Sequence, residues 1–66
     1  MPGYIPLTYA DDKMIEVWSD DITEVRPEGS LTRVYFLRRE SRRFKETPAE
    51  ISILIASAKA RRASMV

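Results

Sequence analysis

Phe44-Lys45-Glu46-Thr47-Pro48-Ala49-Glu50-Ile51 is the stretch where β-type sequence gives way to the chain's one clear helical pattern. Thr47 suits the N-cap, because its hydroxyl can accept an amide proton left unpaired at the helix start. Glu50, three residues on, can reach back to the Thr47 amide. Pro48 falls on the first helical position, where its fixed φ fits and its missing N–H costs nothing. Beyond it Ile51, Leu54, Ile55 and Ala58 recur at i, i+3, i+4 and i+7, which predicts a core-facing stripe on a helix from 48 to about 62. Ile53, Ala56 and Ala60 form a second, smaller apolar line on another flank. Arg61 and Arg62 suit the negative end of the helix dipole, and residues 63–66 are expected to fray.

Before this junction the chain reads as short strands. Ile5, Leu7 and Tyr9 alternate on one face, with Pro6 pointing to an edge position. Ala10-Asp11-Asp12-Lys13 is a turn, because aspartate side chains accept nearby amide protons and tolerate tight backbone. Met14–Trp18 is a second strand with Ile15 and Val17 inward, and the two strands make a hairpin. Ser19-Asp20-Asp21 breaks the alternation, and Ile22 and Val25, three apart, fit a bulge or a single helical turn leading into a third strand. Arg26-Pro27-Glu28-Gly29-Ser30 carries the strongest loop signal. Leu31–Leu37 is the best strand, with Val34 and Phe36 on one face and Leu31, Tyr35 and Leu37 on the other. Apolar groups on both faces predict a central strand, or one with a face against another subunit. Arg38–Ser41 turns the chain into a fifth strand around Arg42-Arg43-Phe44-Lys45.

These elements predict one small domain over residues 1–66, mainly β with a single C-terminal α-helix. The expected architecture is a five-stranded, strongly bent antiparallel sheet or a small SH3-like or Sm-like barrel, the helix lying over one opening. An open meander sheet with the helix on one face is the second architecture. Five segments carry a family resemblance: Ile5-Pro6-Leu7-Thr8, Met14 to Trp18, Ile22-Thr23-Glu24-Val25, Thr32 to Phe36, and Phe44 to Ile51. In that order they resemble the small flagellar proteins of the FlbD type over roughly residues 5 to 55. Asp11-Asp12-Lys13 and Arg38-Arg39-Glu40 stand where that family carries glycine turns. The resemblance implies a fold of the same small β-rich kind.

The totals restrict the chemistry. A chain of 66 residues has no cysteine for disulfides or thiolate–metal staples. It has no histidine, which removes the commonest general base and metal ligand together. Asp11 with Asp12 and Asp20 with Asp21 are the paired carboxylates, and turn chemistry accounts for both pairs. Gly3 and Gly29 alone make no phosphate-cradling loop, and Ser41 has no histidine to activate it. The expectation is a non-enzyme with no catalytic, metal or cofactor site and no cofactor. The longest apolar run, Ile53–Ala56, falls far short of the roughly 20 residues that span a bilayer. With proline, tyrosine and early acids at the N-terminus in place of a signal peptide, a cytoplasmic protein without membrane insertion is expected.

The net charge of +1 conceals a division. Residues 1–30 hold seven acids against two bases, net −5, and residues 31–66 hold nine bases against three acids, net +6. Pairing between the halves is the first explanation, and a basic surface for a polyanion is the second. Arg33, Arg38, Arg39, Arg42, Arg43 and Lys45 crowd around one hairpin. Arg38, Arg39, Arg42 and Arg43 are the candidate phosphate contacts and Tyr35 or Trp18 the candidate stacking residue, the composition of a single-strand nucleic-acid site. Trp18 and Met14 lie outside the alternation of their strand. With Leu31, Tyr35 and Ile53 they form a candidate oligomer interface. The leading expectation is a non-catalytic interaction module that self-associates, and takes a protein partner as adaptor or accessory factor. An Sm-like barrel binding RNA or single-stranded DNA through the basic hairpin ranks second, so nucleic acid is not the favoured partner.

Overall fold

A computed structural model describes residues 3–64, with side chains through residue 61. The helix start has the reciprocal cap the sequence requires. The Glu50 N–H donates to Thr47 Oγ1 and the Thr47 N–H to Glu50 Oε1, each at 3.1 Å. Helix α1 runs Pro48–Ser64, past the expected end, so Ala63 and Ser64 are helical where fraying was expected. Ala60, Arg61, Arg62 and Ala63 are strong helix formers, and no glycine or proline stands there to stop the helix. The rest of the expected frayed tail, residues 65 and 66, lies outside the described residues.

Five strands precede α1: β1 (Tyr4–Thr8), β2 (Met14–Trp18), β3 (Ile22–Glu28), β4 (Leu31–Phe36) and β5 (Arg42–Phe44). The chain is therefore mainly β with one C-terminal helix. The strands divide between two antiparallel sheets, β1-β2 and β3-β4-β5, and neither sheet is closed into a barrel. Their junction is a single bridge between Tyr9 and Phe44, continued by the Lys45 N–H donating to Thr8 O at 2.7 Å.

Turn chemistry sets both hairpins. At the β1–β2 turn the Tyr9 N–H bonds Lys13 O at 2.8 Å and the Asp12 N–H bonds Tyr9 O at 2.9 Å. Asp12 takes a φ of 73°, and Asp11 Oδ1 accepts the Lys13 N–H. This is the three-residue loop that ends in a left-handed residue, a conformation aspartate tolerates better than most. At the β3–β4 turn only Gly29 and Ser30 lie between the strands. Gly29 has a φ of +62°, the glycine-first two-residue turn. Arg26, Pro27 and Glu28, expected in the loop, are instead the end of β3. Glu28 opposite Leu31 closes the turn as a hydrogen-bonded pair, so the next position, Pro27, turns its nitrogen to the open edge, where no N–H is needed.

The break after Trp18 is both of the features expected there. Ser19–Asp21 is a 3-10 turn, and the register shifts between Ile22 and Glu24. The extra residue, Thr23, lets Ile22 and Val25 both pack on the core. The core comprises Ile5, Leu7, Val17, Val34, Phe36, Phe44, Ile51 and Ala58, with Tyr9, Ile15, Ile22, Val25, Leu54 and Ile55 against it. α1 packs on β1, β3 and the 3-10 turn. β4 is the central strand of its sheet, and Thr32 is buried on its inner face beside Val34 and Phe36.

Candidate functional site

Two turns and one sheet face build a chemically distinctive basic surface. Arg33 lies opposite Arg26 on one side and Arg43 on the other, so three guanidinium groups cross the outer face of the three-stranded sheet. Like charges in such a row repel unless acids are interleaved. Glu28 supplies one. Arg33 grips it with Nε at 2.8 Å and Nη2 at 3.0 Å, and Arg43 Nε approaches it at 3.7 Å. The hydrogen bond from Arg33 holds the Glu28 carboxyl below its ordinary value, and the charges of Arg33 and Arg43 add to this. Arg26 pairs with Glu24, Arg42 with Glu40 at 3.1 Å, and Lys45 with Asp12. Three pairs, Arg33–Glu28, Arg43–Glu28 and Lys45–Asp12, join the basic half of the chain to the acidic half. Exposed pairs of this kind contribute about 0–1 kcal/mol each, so they neutralise the surface without locking it.

An open groove of about 630 Å³ runs between the β1–β2 turn and the β4–β5 hairpin, lined by Tyr9, Ala10, Asp11, Lys13, Arg33, Ser41, Arg42 and Arg43. Its walls hold four cations and one acid, a formal +3 on the lining itself. Tyr9 is half-buried, and one ring face rests on Phe44, with centroids 5.0 Å apart and planes at 22°. Phe44 is fully buried, so the tyrosine ring is held from beneath. Arg33 Nη1 donates to Ser41 Oγ at 2.9 Å, which leaves the hydroxyl proton able to donate to a ligand.

The residues predicted as anion contacts separate. Arg42 and Arg43 line the groove; Arg38, Arg39 and Tyr35 do not. Arg39 sits 4.5 Å over the centroid of the Phe36 ring and covers the core there. Arg38 is exposed on the β4–β5 turn. Tyr35 is half-buried, opposite Glu24 on the sheet's outer face. Arg33, part of the basic cluster, joins Arg42 and Arg43 in the groove, and Lys13 and Tyr9 come to it from segments read only as turn and strand. Their convergence depends on the Tyr9–Phe44 bridge, which no local signal in the sequence announces.

The predicted interface residues also occupy separate elements. Met14 and Trp18 share the outer face of β1-β2, Leu31 and Tyr35 the outer face of β4, and Ile53 the outside of α1. Met14 is 68% exposed and Ile53 66%. Trp18 is half-buried: its ring meets Tyr4 edge-on at 4.9 Å and closes over Gly3. The chain bends at Ser19, whose N–H donates to Gly3 O at 2.7 Å, and the indole ring lies against Tyr4 and Gly3.

Among the described residues no three acidic, histidine or cysteine side chains gather where they could hold a metal ion, and no helix is long and apolar enough to cross a membrane. No family model, no curated protein and no solved structure matches this chain.

Proposed function

We propose that this chain is a non-catalytic binding module whose ligand is a phosphate-bearing polymer laid along the groove between the β1–β2 turn and the β4–β5 hairpin. The observation that carries this reading is the meeting of Lys13, Arg33, Arg42 and Arg43 on one concave surface with Asp11 as the only acid of the lining. Counting the acids paired to those cations, Glu28 and Glu40, the surface still keeps one positive charge. The pairs are weak enough for phosphate oxygens to exchange with the carboxylates, and guanidinium forks suit phosphate geometry. A non-catalytic role is supported by the lack of histidine and cysteine and by the turn duties of Asp11 and Asp12.

Long-chain inorganic polyphosphate is the direct probe. Its affinity, measured by competition or calorimetry, is expected to fall steeply with salt. Arg42→Gln with Arg43→Gln removes two contacts and reduces the slope of log K against log salt by about 1.4, taking roughly 0.7 per contact on a flexible strand. Binding that ignores salt, or that survives both substitutions unchanged, refutes the reading.

Self-association is the second reading. Met14 and Trp18 share the outer face of β2, whose far edge has no partner strand among the described residues. A two-stranded sheet that leaves this edge open can add a second copy there, as an adaptor would. Light scattering after size-exclusion chromatography is then expected to give a mass above the monomer, reduced to the monomer by Met14→Asp. A monomer at both low and moderate salt refutes it.

A further inference from the structure

We infer that the groove's ligand is an unpaired nucleic-acid strand, with one base stacked on Tyr9 and its neighbouring phosphates on Arg42, Arg43 and Lys13. This inference rests on the polymer-binding reading above and narrows it. Cations alone select negative charge; the ring in the groove wall adds a surface that only a flat ligand can use. One face of Tyr9 is occupied by Phe44, so the other is the one left for a ligand. The Phe44 support is fully buried, so little ordering is required of the platform when a base arrives. A cationic track with an aromatic face is how sequence-tolerant single-strand sites are built, since every base offers a π-face. A duplex hides its base faces in the stack and could reach the cations only through its backbone.

Position separates Tyr9 from the other aromatic side chains. Trp18 is engaged with Tyr4 and Gly3, and Tyr35 lies outside the groove lining. The Ser41 hydroxyl, accepting from Arg33, has its proton available for a phosphate oxygen between the cations.

The test compares two labelled oligomers of about ten nucleotides, the length range of one small binding site. One is oligothymidylate; the other has the same backbone with abasic sugars. Fluorescence anisotropy at fixed moderate salt is expected to show the thymidylate bound about tenfold more tightly, the lower part of the range for one stacked base. Tyr9→Leu keeps an apolar side chain on Phe44 and is expected to bring thymidylate down to the abasic affinity. Tyr9→Phe is expected to keep the discrimination. Equal affinity of the two oligomers for the wild-type protein overturns the stacking inference and leaves the polymer reading standing. Discrimination that survives Tyr9→Leu overturns the role of Tyr9. Failure of both oligomers and of polyphosphate to bind overturns the inference and the reading beneath it. The wild-type comparison decides the matter even if Tyr9→Leu does not fold.

Discussion

Replacing Glu46 with alanine tests how the two sheets are held together. Thr8 donates both its backbone N–H and its hydroxyl to the Glu46 carboxylate, each at 2.8 Å, across 38 residues of sequence. The Lys45 N–H returns the contact to Thr8 O at 2.7 Å. The Thr8 backbone faces away from β2 at this position, so no ladder bond replaces the carboxylate when it is lost. A hydrogen bond to a charged group contributes about 1.5–3 kcal/mol net, and two at the lower end, as half-buried groups warrant, give about 3 kcal/mol. A chain of this length has a total stability of roughly 3–10 kcal/mol, so the loss is a third of it or more. At about 4–8 °C per kcal/mol the midpoint of thermal unfolding falls by roughly 12–24 °C. Circular dichroism during heating and urea titration both measure this. Glu46→Gln keeps one acceptor oxygen and is expected to lose about half as much, and Thr8→Val, which removes only the hydroxyl, a similar amount. The Thr8→Val and Glu46→Ala pair should show a coupling of about 1 kcal/mol in a double-mutant cycle. A loss below about 0.5 kcal/mol for Glu46→Ala, or strict additivity in the cycle, refutes the clamp.

Three further outcomes are expected. Gly3→Ala places a Cβ 2.8 and 2.9 Å from the Trp18 ring at a φ of +94°, so both strain and collision oppose it. A loss of about 2 kcal/mol and a red-shifted tryptophan emission should follow, and an unmoved spectrum refutes the contact. Thr47→Ala removes the cap of α1 and should cost about 1 kcal/mol by urea denaturation, with no loss pointing to a helix held by packing alone. The Glu28 carboxyl is held below its ordinary 4.5 by the Arg33 hydrogen bond, so between its native value and 4.5 the unfolded chain binds the proton that the folded chain does not. Its stabilising effect is therefore complete above that ordinary value and is lost as pH falls through the depressed one. Glu28→Gln should flatten this part of the stability–pH curve, and an unchanged curve refutes the assignment.

Much of the chain was legible in order because its signals are local. The capping box at Thr47 and Glu50, the stripe Ile51-Leu54-Ile55-Ala58, the Asp11-Asp12 turn and the inward positions of β1, β2 and β4 are all decided within a few residues, where backbone sterics and side-chain period act directly. The same local reading placed Arg26-Pro27-Glu28 in a loop, because proline beside glycine is a turn signal. Only the register against β4 turns the Pro27 nitrogen to an open edge and lets the strand continue.

The candidate site divides in the same way. Sequence alone established a basic C-terminal half, an acidic N-terminal half and a helix whose start is determined by its own side chains. It could not assign the arginines, since a shift of one residue in a hairpin moves every side chain to the opposite face. Tertiary structure placed Arg39 over Phe36, gave Arg33 and Arg43 a shared partner in Glu28, and brought Lys13 and Tyr9 to the groove. The deciding contacts, Tyr9 to Phe44 and Thr8 to Glu46, join residues more than thirty positions apart. They form only once the buried faces of two sheets and one helix have met, and no short window of sequence contains both partners.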